Sequence, residues 1–398
     1  PTNENTISES ESTTLRSTDC YYGLAISVDN QLVYHDGSPS PSVGWDAGDG
    51  VTALDTEGGG CVILESGALH CWGDNDYAQV GAGNTNGDYG NPSESHNVSF
   101  PVNYAAKQID KQNYGTSVVL ENGEAYYWGR NDGNYNENAV GFTCNGLANN
   151  CDGTGRLLSP TKIQINESVS SLYSQSNTRY QSKCAVLENG NAVCWGYNGD
   201  GQLGTGTTSY ESTPTPLWLP SDVSSNSIVT MAMISNSYWG DGGTSCALWE
   251  NGTIYCWGDN ENGQTGDGST CPQNNYQNNC NGAGLKPIIY DPVILPSDTF
   301  AIALWNYETY GFCALLSNGG IWCWGPSFSS TGIGEYLAIA SGDPFIQPGN
   351  RDWDSDGIFN TQDNCAAGSE GWTSTPSIDL DADGCIDATE DDDDDGDS

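Results

Sequence analysis

The chain repeats one phrase four times: a cysteine, nine residues, a second cysteine, then a tryptophan. The copies run from Cys61 to Cys71 and Trp72, Cys184 to Cys194 and Trp195, Cys246 to Cys256 and Trp257, and Cys313 to Cys323 and Trp324. A recurrence of roughly 60 residues marks an array of like structural units. Two further copies keep the frame without cysteines, Ser117 to Trp128 and a weaker stretch from Ala25 to His35. Each has lost both cysteines together, which is what pairing inside a repeat produces.

At the centre of every strong copy lies a turn: Glu65-Ser-Gly67, Glu121-Asn-Gly123, Glu188-Asn-Gly190, Glu250-Asn-Gly252 and Ser317-Asn-Gly319. It fits a three-residue hairpin loop with glycine in the left-handed position. Counting outward from Asn189 sets Val186 opposite Ala192 and Cys184 opposite Cys194. Opposed strand positions lie about 4.5 to 5.5 Å apart at Cα, within reach of a disulfide. The expected bridges are therefore Cys61 to Cys71, Cys184 to Cys194, Cys246 to Cys256 and Cys313 to Cys323.

Both faces of these hairpins are apolar. Val186 and Ala192 share one face with the cysteines, while Ala185, Leu187, Val193 and Trp195 take the other. Sheets of that kind must be covered on both sides. With room for four short strands per unit and no amphipathic helix, the expected fold is all-β, a six- or seven-bladed β-propeller with disulfide-stapled hairpins. A β-sandwich array is the alternative.

The strings Cys194-Trp-Gly-Tyr-Asn-Gly-Asp-Gly-Gln-Leu-Gly204, Cys256-Trp-Gly-Asp-Asn-Glu-Asn-Gly-Gln-Thr-Gly266 and Cys71-Trp-Gly-Asp-Asn-Asp-Tyr-Ala-Gln-Val-Gly81 carry a resemblance. Together they resemble the regulator of chromosome condensation repeat family, over roughly residues 20 to 345. That resemblance implies a propeller, usually of seven blades. Two departures stand out. The paired cysteines resemble extracellular variants, and Trp324 is followed by Gly-Pro-Ser in place of the Gly-Gln-Leu-Gly segment. Six units are visible, so both blade counts stay open.

Fifteen cysteines in a chain with few helix signals read as a disulfide framework in an oxidising compartment. Zinc is excluded, because the pairs stand nine residues apart and His35, His70 and His96 form no ligand cluster. Two more pairs, Cys144 with Cys151 and Cys271 with Cys280, fall at the same place in alternate repeats. Their insertions are rich in Asn and Tyr, residues that supply hydrogen bonds and rigid aromatic area in binding loops. Plain solvated, stapled loops are the alternative. Sequons at Asn97, Asn166 and Asn251 permit glycosylation.

After Gly349 the chain changes character. Asp352, Asp354 and Asp356 stand at positions one, three and five, Gly357 at six, Ile358 at seven, Asn360 at nine and Asp363 at twelve. A loop with that spacing wraps a hard, oxygen-seeking calcium ion, with the seventh ligand a main-chain carbonyl. The frame returns at Asp379, Asp381, Asp383, Cys385, Asp387 and Glu390, and a third copy begins at Asp391. This tail resembles thrombospondin type 3 repeats, which implies bound calcium and a Cys365 to Cys385 link between loops. An acidic unstructured tail is the alternative, and it leaves the repeated glycine at position six without a reason. Seven bridges leave Cys20 over, at hand for an intermolecular bond.

The expected organisation is a flexible N-terminal arm over 1–19, a propeller over 20–348 and calcium-binding repeats over 349–398. The chain opens at Pro1 without an apolar leader, as a processed or excerpted product would. Its last repeat is incomplete, so further acidic repeats, an anchor or another domain are expected to follow.

Charge narrows the partners. A formal net charge of -42, with no Lys or Arg beyond Arg351, repels nucleic acid and anionic membranes, and no stretch is long and apolar enough for membrane insertion. The chromatin and small-GTPase roles of some relatives therefore do not carry over. No nucleophile elbow, metalloprotease pair or phosphate loop is present, so no enzymatic activity is expected. The expected setting is extracellular or cell-surface. The first functional expectation is a self-associating structural subunit of a filament, sheath or surface layer. The alternative is an adhesion or ligand-binding module holding a protein or glycan on its loop rim.

Overall fold

The computed structural model describes residues 15–336, apart from 20–23, 28, 35–41, 47, 57–58, 86–90, 132–149, 176–180, 220–226, 236–242, 272–279, 281–284, 288, 290, 308–310 and 326–334. Among the described residues every regular element is a strand except one 3-10 turn, Pro92–Glu94. The strands form six sheets in chain order. The first holds β1 (Leu15–Asp19), β2 (Leu24–Ser27) and β3 (Leu32–Tyr34). The second holds β4 (Val51–Asp55), β5 (Gly60–Leu64), β6 (Leu69–Trp72) and β7 (His96–Val98). The third holds β8 (Ala106–Gln112), β9 (Gly115–Leu120), β10 (Ala125–Arg130) and β11 (Arg156–Lys162). The fourth contains β12 (Val169–Ser174), β13 (Ser182–Leu187), β14 (Ala192–Gly196) and β15 (Glu211–Pro216). The fifth contains β16 (Ile228–Ser235), β17 (Gly243–Trp249), β18 (Ile254–Asp259) and β19 (Leu285–Lys286). The sixth contains β20 (Ala301–Tyr307), β21 (Gly311–Leu316), β22 (Ile321–Trp324) and β23 (Glu335–Tyr336). Every strand pairs antiparallel with the next in its sheet, and the chain divides into two compact units, residues 1–172 and 173–398.

The cysteine phrase is the central hairpin of its sheet. Cys184 pairs with Cys194 and Val186 with Ala192 across β13 and β14, the register that counting from the turn requires. Bridges join Cys61 to Cys71, Cys184 to Cys194, Cys246 to Cys256 and Cys313 to Cys323, with Cα atoms 4.0 to 4.1 Å apart. A fifth bridge joins Cys271 to Cys280.

Turn chemistry explains the hairpins. Gly190 has φ 79°, and a Cβ there would stand 2.5 Å from the Ser227 side chain. Only glycine satisfies both the left-handed backbone and the close approach. In the first sheet Asn30 takes the same conformation at φ 58°, which asparagine tolerates better than other side chains. Each turn also holds the next sheet. The Ile228 amide donates to the Gly190 carbonyl at 2.8 Å, Ala301 to Gly252 at 2.9 Å, Val169 to Gly123 at 2.9 Å and Ala106 to Gly67 at 3.2 Å.

Every residue of β5, β9, β13, β17 and β21 is buried. Cys184, Val186, Ala192 and Cys194 of the fourth sheet meet Met231, Met233, Ala247 and Trp249 of the fifth. Phe312, Ala314 and Leu316 of the sixth meet Ile234, Leu248 and Ile254 of the fifth. Full burial of one such Val, Leu or Phe contributes about 1.5 to 3 kcal/mol.

Residues 15–19, read from the sequence as the end of an arm, instead form β1, with Asp19 opposite Leu24 and Leu15 opposite Ser27. Strand pairing is a main-chain transaction, so a polar segment suffices where β2 offers a row of open amides and carbonyls. No described helix is long and apolar enough to cross a membrane.

Candidate functional site

After Trp72, Trp195 and Trp257 the segment that follows the Trp-Gly pair is built as a knot by one asparagine and one glutamine. Asn198 is fully buried; its side-chain nitrogen donates to the Thr207 and Ser209 carbonyls at 2.9 Å, and its oxygen accepts from the Leu203 amide at 2.9 Å. Gln202 accepts from the Asp200 amide at 3.1 Å. The same work is done by Asn75 with Gln79 and by Asn260 with Gln264. The carbonyl of this glutamine then receives the next sheet's tryptophan: Trp128 Nε1 donates to Gln79 and Trp257 Nε1 to Gln202, both at 2.9 Å. Thr116 Oγ1 and Ser245 Oγ donate to the same two carbonyls. The glycine two residues on lies under the indole; a Cβ on Gly204 would stand 2.6 Å from Trp257 Nε1. The recurring Asn, Gln and Gly of the motif are thus a joint between successive sheets.

In the unit of residues 1–172 the rigid loop presents Tyr77. Its ring meets Tyr114, in the turn between β8 and β9, edge-on with centroids 5.1 Å apart. Arg130 closes β10 and Arg156 opens β11, and the two stand directly opposite each other in the ladder. The Arg130 guanidinium lies 5.6 Å from the Tyr77 centroid and 5.5 Å from that of Tyr114, and Arg156 lies 5.7 Å from Tyr77. Like charges directly opposed across strands are destabilising; the ring faces and Asp152 offset the repulsion. Asp152 accepts from the Thr154 and Arg156 amides and pairs with Arg156 Nη1 at 3.5 Å. Burial pushes the Asp152 carboxyl up, but the Thr154 and Arg156 hydrogen bonds prevail and hold it below its ordinary value. The result is a half-exposed platform of two tyrosines and two arginines, in a chain with 10 basic residues against 52 acidic ones.

Other titratable groups gather on the second and third sheets. Glu124 pairs with Lys162 and accepts from Tyr126 Oη at 2.9 Å. Lys162 holds the Glu124 carboxyl below its ordinary value, while burial and the Glu124 hydrogen bond push Tyr126 up to about 12. These three side chains line an open groove of about 600 Å³ together with Pro101, Val102 and Pro160. His70 Nδ1 lies 3.2 Å from Ser95 Oγ, and its ring is 5.3 Å from Trp45.

Asn97, Asn166 and Asn251 are all exposed. Cys151 is buried and disulfide-bonded, whereas its assigned partner Cys144 lies outside the described residues. So do Cys20, Cys365, and the calcium-loop positions Asp352, Asp354, Asp356, Ile358, Asn360, Asp363, Asp379, Asp381, Asp383, Cys385, Asp387 and Glu390. Most of both Asn- and Tyr-rich insertions is outside as well. Among the described residues no three His, Cys, Asp or Glu side chains gather as metal ligands. The platform was not read from sequence, since Tyr77, Tyr114, Arg130 and Arg156 come from separate segments. The one available signal was the scarcity of arginine.

Residues 189–233 and 240–264 match models of the regulator of chromosome condensation (RCC1) repeat. Among solved structures, Prp20p from Saccharomyces cerevisiae, described with its binding properties to Gsp1p and histones, is similar with a TM-score of 0.56 and 17% identity, covering 80% of this chain and 75% of that one. Human WBSCR16 is similar with a TM-score of 0.55 and 17% identity, covering 79% and 77%. Yeast RCC1 (Prp20) bound to Kap60 gives 0.55 and 16%, covering 80% and 73%. With its repeated joints, its four-stranded antiparallel sheets and these likenesses, the chain carries RCC1-type repeats and has a propeller fold similar to that of RCC1.

Proposed function

We propose that this chain is an extracellular binding propeller that holds a protein partner on the rim formed by Tyr77, Tyr114, Arg130 and Arg156. The observation that carries this reading is the convergence of those side chains, with two guanidiniums set opposite each other against half-exposed aromatic rings. Tyr and Arg are the residue types that dominate binding energy at protein interfaces. The hairpin bridges support an oxidising, extracellular setting. Among the similar folds, Prp20p is described with binding to other proteins. The acidic tail is proposed to hold calcium, which would neutralise part of the chain's negative charge.

The test compares wild-type protein with a Tyr77→Ala/Arg130→Ala variant for binding to the surface material of the source cells. Loss of binding with an unchanged unfolding midpoint supports the reading; equal binding rejects it.

A second reading, a self-associating subunit of an extracellular filament, sheath or surface layer, is favoured by β1. The Leu15–Asp19 segment pairs with β2 as an edge strand, and the same pairing supplied by a neighbouring copy would link subunits. Deleting residues 1–20 would then leave a monomer where the full chain assembles.

A further inference from the structure

Asn-Gly pairs recur along the chain, and six of them, at Asn122, Asn189, Asn198, Asn251, Asn262 and Asn318, lie among the described residues. The chemistry open to any such pair is intramolecular. The glycine nitrogen attacks the asparagine side-chain carbonyl carbon, forming a C–N bond. The C–Nδ2 bond breaks, and ammonia leaves with the proton that the glycine amide gave up. Water then opens the succinimide to aspartate or isoaspartate, with no oxidant or reductant involved. Glycine favours this because it has no side chain to hinder the attack.

Five of the six pairs are locked against it. In the four hairpin turns the asparagine Oδ1 accepts from the amide two residues on at 3.0 Å, in Asn122, Asn189, Asn251 and Asn318 alike. The glycine amide that would have to attack is itself donated to a carbonyl at 2.9 Å, Gly123 to Leu120, Gly190 to Leu187, Gly252 to Trp249 and Gly319 to Leu316. Both reacting groups are therefore held in other bonds. Asn198 is fully buried, with its side-chain oxygen and nitrogen both engaged.

Asn262 differs on every count. Its side chain is exposed and makes no hydrogen bond among the described residues. The Gly263 amide reaches the Asn260 carbonyl only at 3.4 Å, long for an N–H···O bond and weak in proportion. We infer that Asn262 is a spontaneous modification site, the first of these six asparagines to convert to aspartate and isoaspartate in the folded protein. The site sits inside a sheet-to-sheet joint. The Asn262 amide donates to Gln264 Oε1 at 2.8 Å, and Gly266 lies against the Trp324 ring. Isoaspartate routes the main chain through one extra methylene, and a new carboxylate joins Asp259 and Glu261, so the product loosens the seat of Trp324.

The experiment incubates the whole protein at mildly alkaline pH, folded and in denaturant, and follows isoaspartate by enzymatic methyl labelling with peptide mapping. The folded protein should accumulate label at residue 262 several-fold faster than at 122, 189, 198, 251 or 318, and denaturant should abolish that ranking. Asn262→Gln should remove the early phase in the folded protein. Equal or faster labelling at any of the other five in the folded state overturns the inference.

Discussion

Trp128 donates its indole N–H to the main-chain carbonyl of Gln79, 2.9 Å away and 49 residues earlier in the chain. A buried indole without such a partner leaves a donor unsatisfied, at a cost of about 1 to 3 kcal/mol. The joints at Gln79 and Gln202 therefore couple successive sheets by an oriented bond as well as by apolar burial. Trp324 Nε1, against Gly266, is instead buried without a hydrogen-bond partner among the described residues. The sheets joined at Gln79 and at Gln202 are expected to unfold together.

Gly204→Ala tests that joint. The backbone there has φ 63° and the new methyl would stand 2.6 Å from Trp257 Nε1, so the expected loss is about 2 to 4 kcal/mol. Gly83, at φ 75° with open space around it, is the control. Gly83→Ala should cost only about 1 kcal/mol, the backbone share alone. Urea midpoints of the two variants read the difference directly.

The bridges stabilise by closing short loops in the unfolded chain. Cys194 follows Cys184 by ten positions, so removing that pair as a double alanine variant should cost up to about 3 kcal/mol. Loss of one bridge should lower the thermal midpoint without exposing thiols in the others, as titration of free thiols would show. Linkage between different repeats in unreduced peptide maps would contradict the hairpin register.

The hairpins were legible because their determinants are local. A turn glycine and two cysteines at fixed distances set the Cys184 to Cys194 register without reference to any other part of the chain. Burial of β13 on both faces followed from the absence of alternation in Ala185, Val186 and Leu187. The joints were half legible: Asn198, Gln202 and Gly204 stood in the repeated motif, but the bond from Trp257 to the Gln202 carbonyl exists only once two sheets are packed. Beyond the scarcity of arginine, Tyr77 and Arg130 carry no local signal, because nothing in either segment states that β10 ends beside that loop. The end of the arm misled because Leu15–Asp19 lacks the apolar alternation of a strand, while pairing with β2 needs only its backbone.

Acid should weaken the second sheet. Burial, and then the charge of His96, push His70 below its ordinary value, with Asp49 acting in the opposite sense; burial likewise lowers His96. A histidine whose folded pKa lies below its unfolded one binds its proton more readily when unfolded. The stability it permits is therefore present above about pH 6.5 and lost as pH falls through and below that value. His96→Asn should flatten the dependence of the urea midpoint between about pH 7 and about pH 5. An unchanged slope would remove these histidines from the acid response.

Calcium and the propeller should be separable. If residues 352–390 hold the ion through their carboxylates, chelation should speed proteolysis of that region and leave the unfolding midpoint of the sheets in place, since the described joints use hydrogen bonds and bridges. Proteolysis at the same rate with and without chelator would reject calcium there.

The platform of Tyr77, Tyr114, Arg130 and Arg156 is the proposed contact with another protein. The most direct measurement is photo-crosslinking from a photoreactive phenylalanine analogue placed at Tyr77, with Tyr104, 54% exposed, as the control position, on surface material of the source cells. A discrete protein adduct should form from Tyr77, be absent from Tyr104 and be lost when Arg130→Ala is added. The same faint adducts from both positions, unaffected by Arg130→Ala, would contradict it.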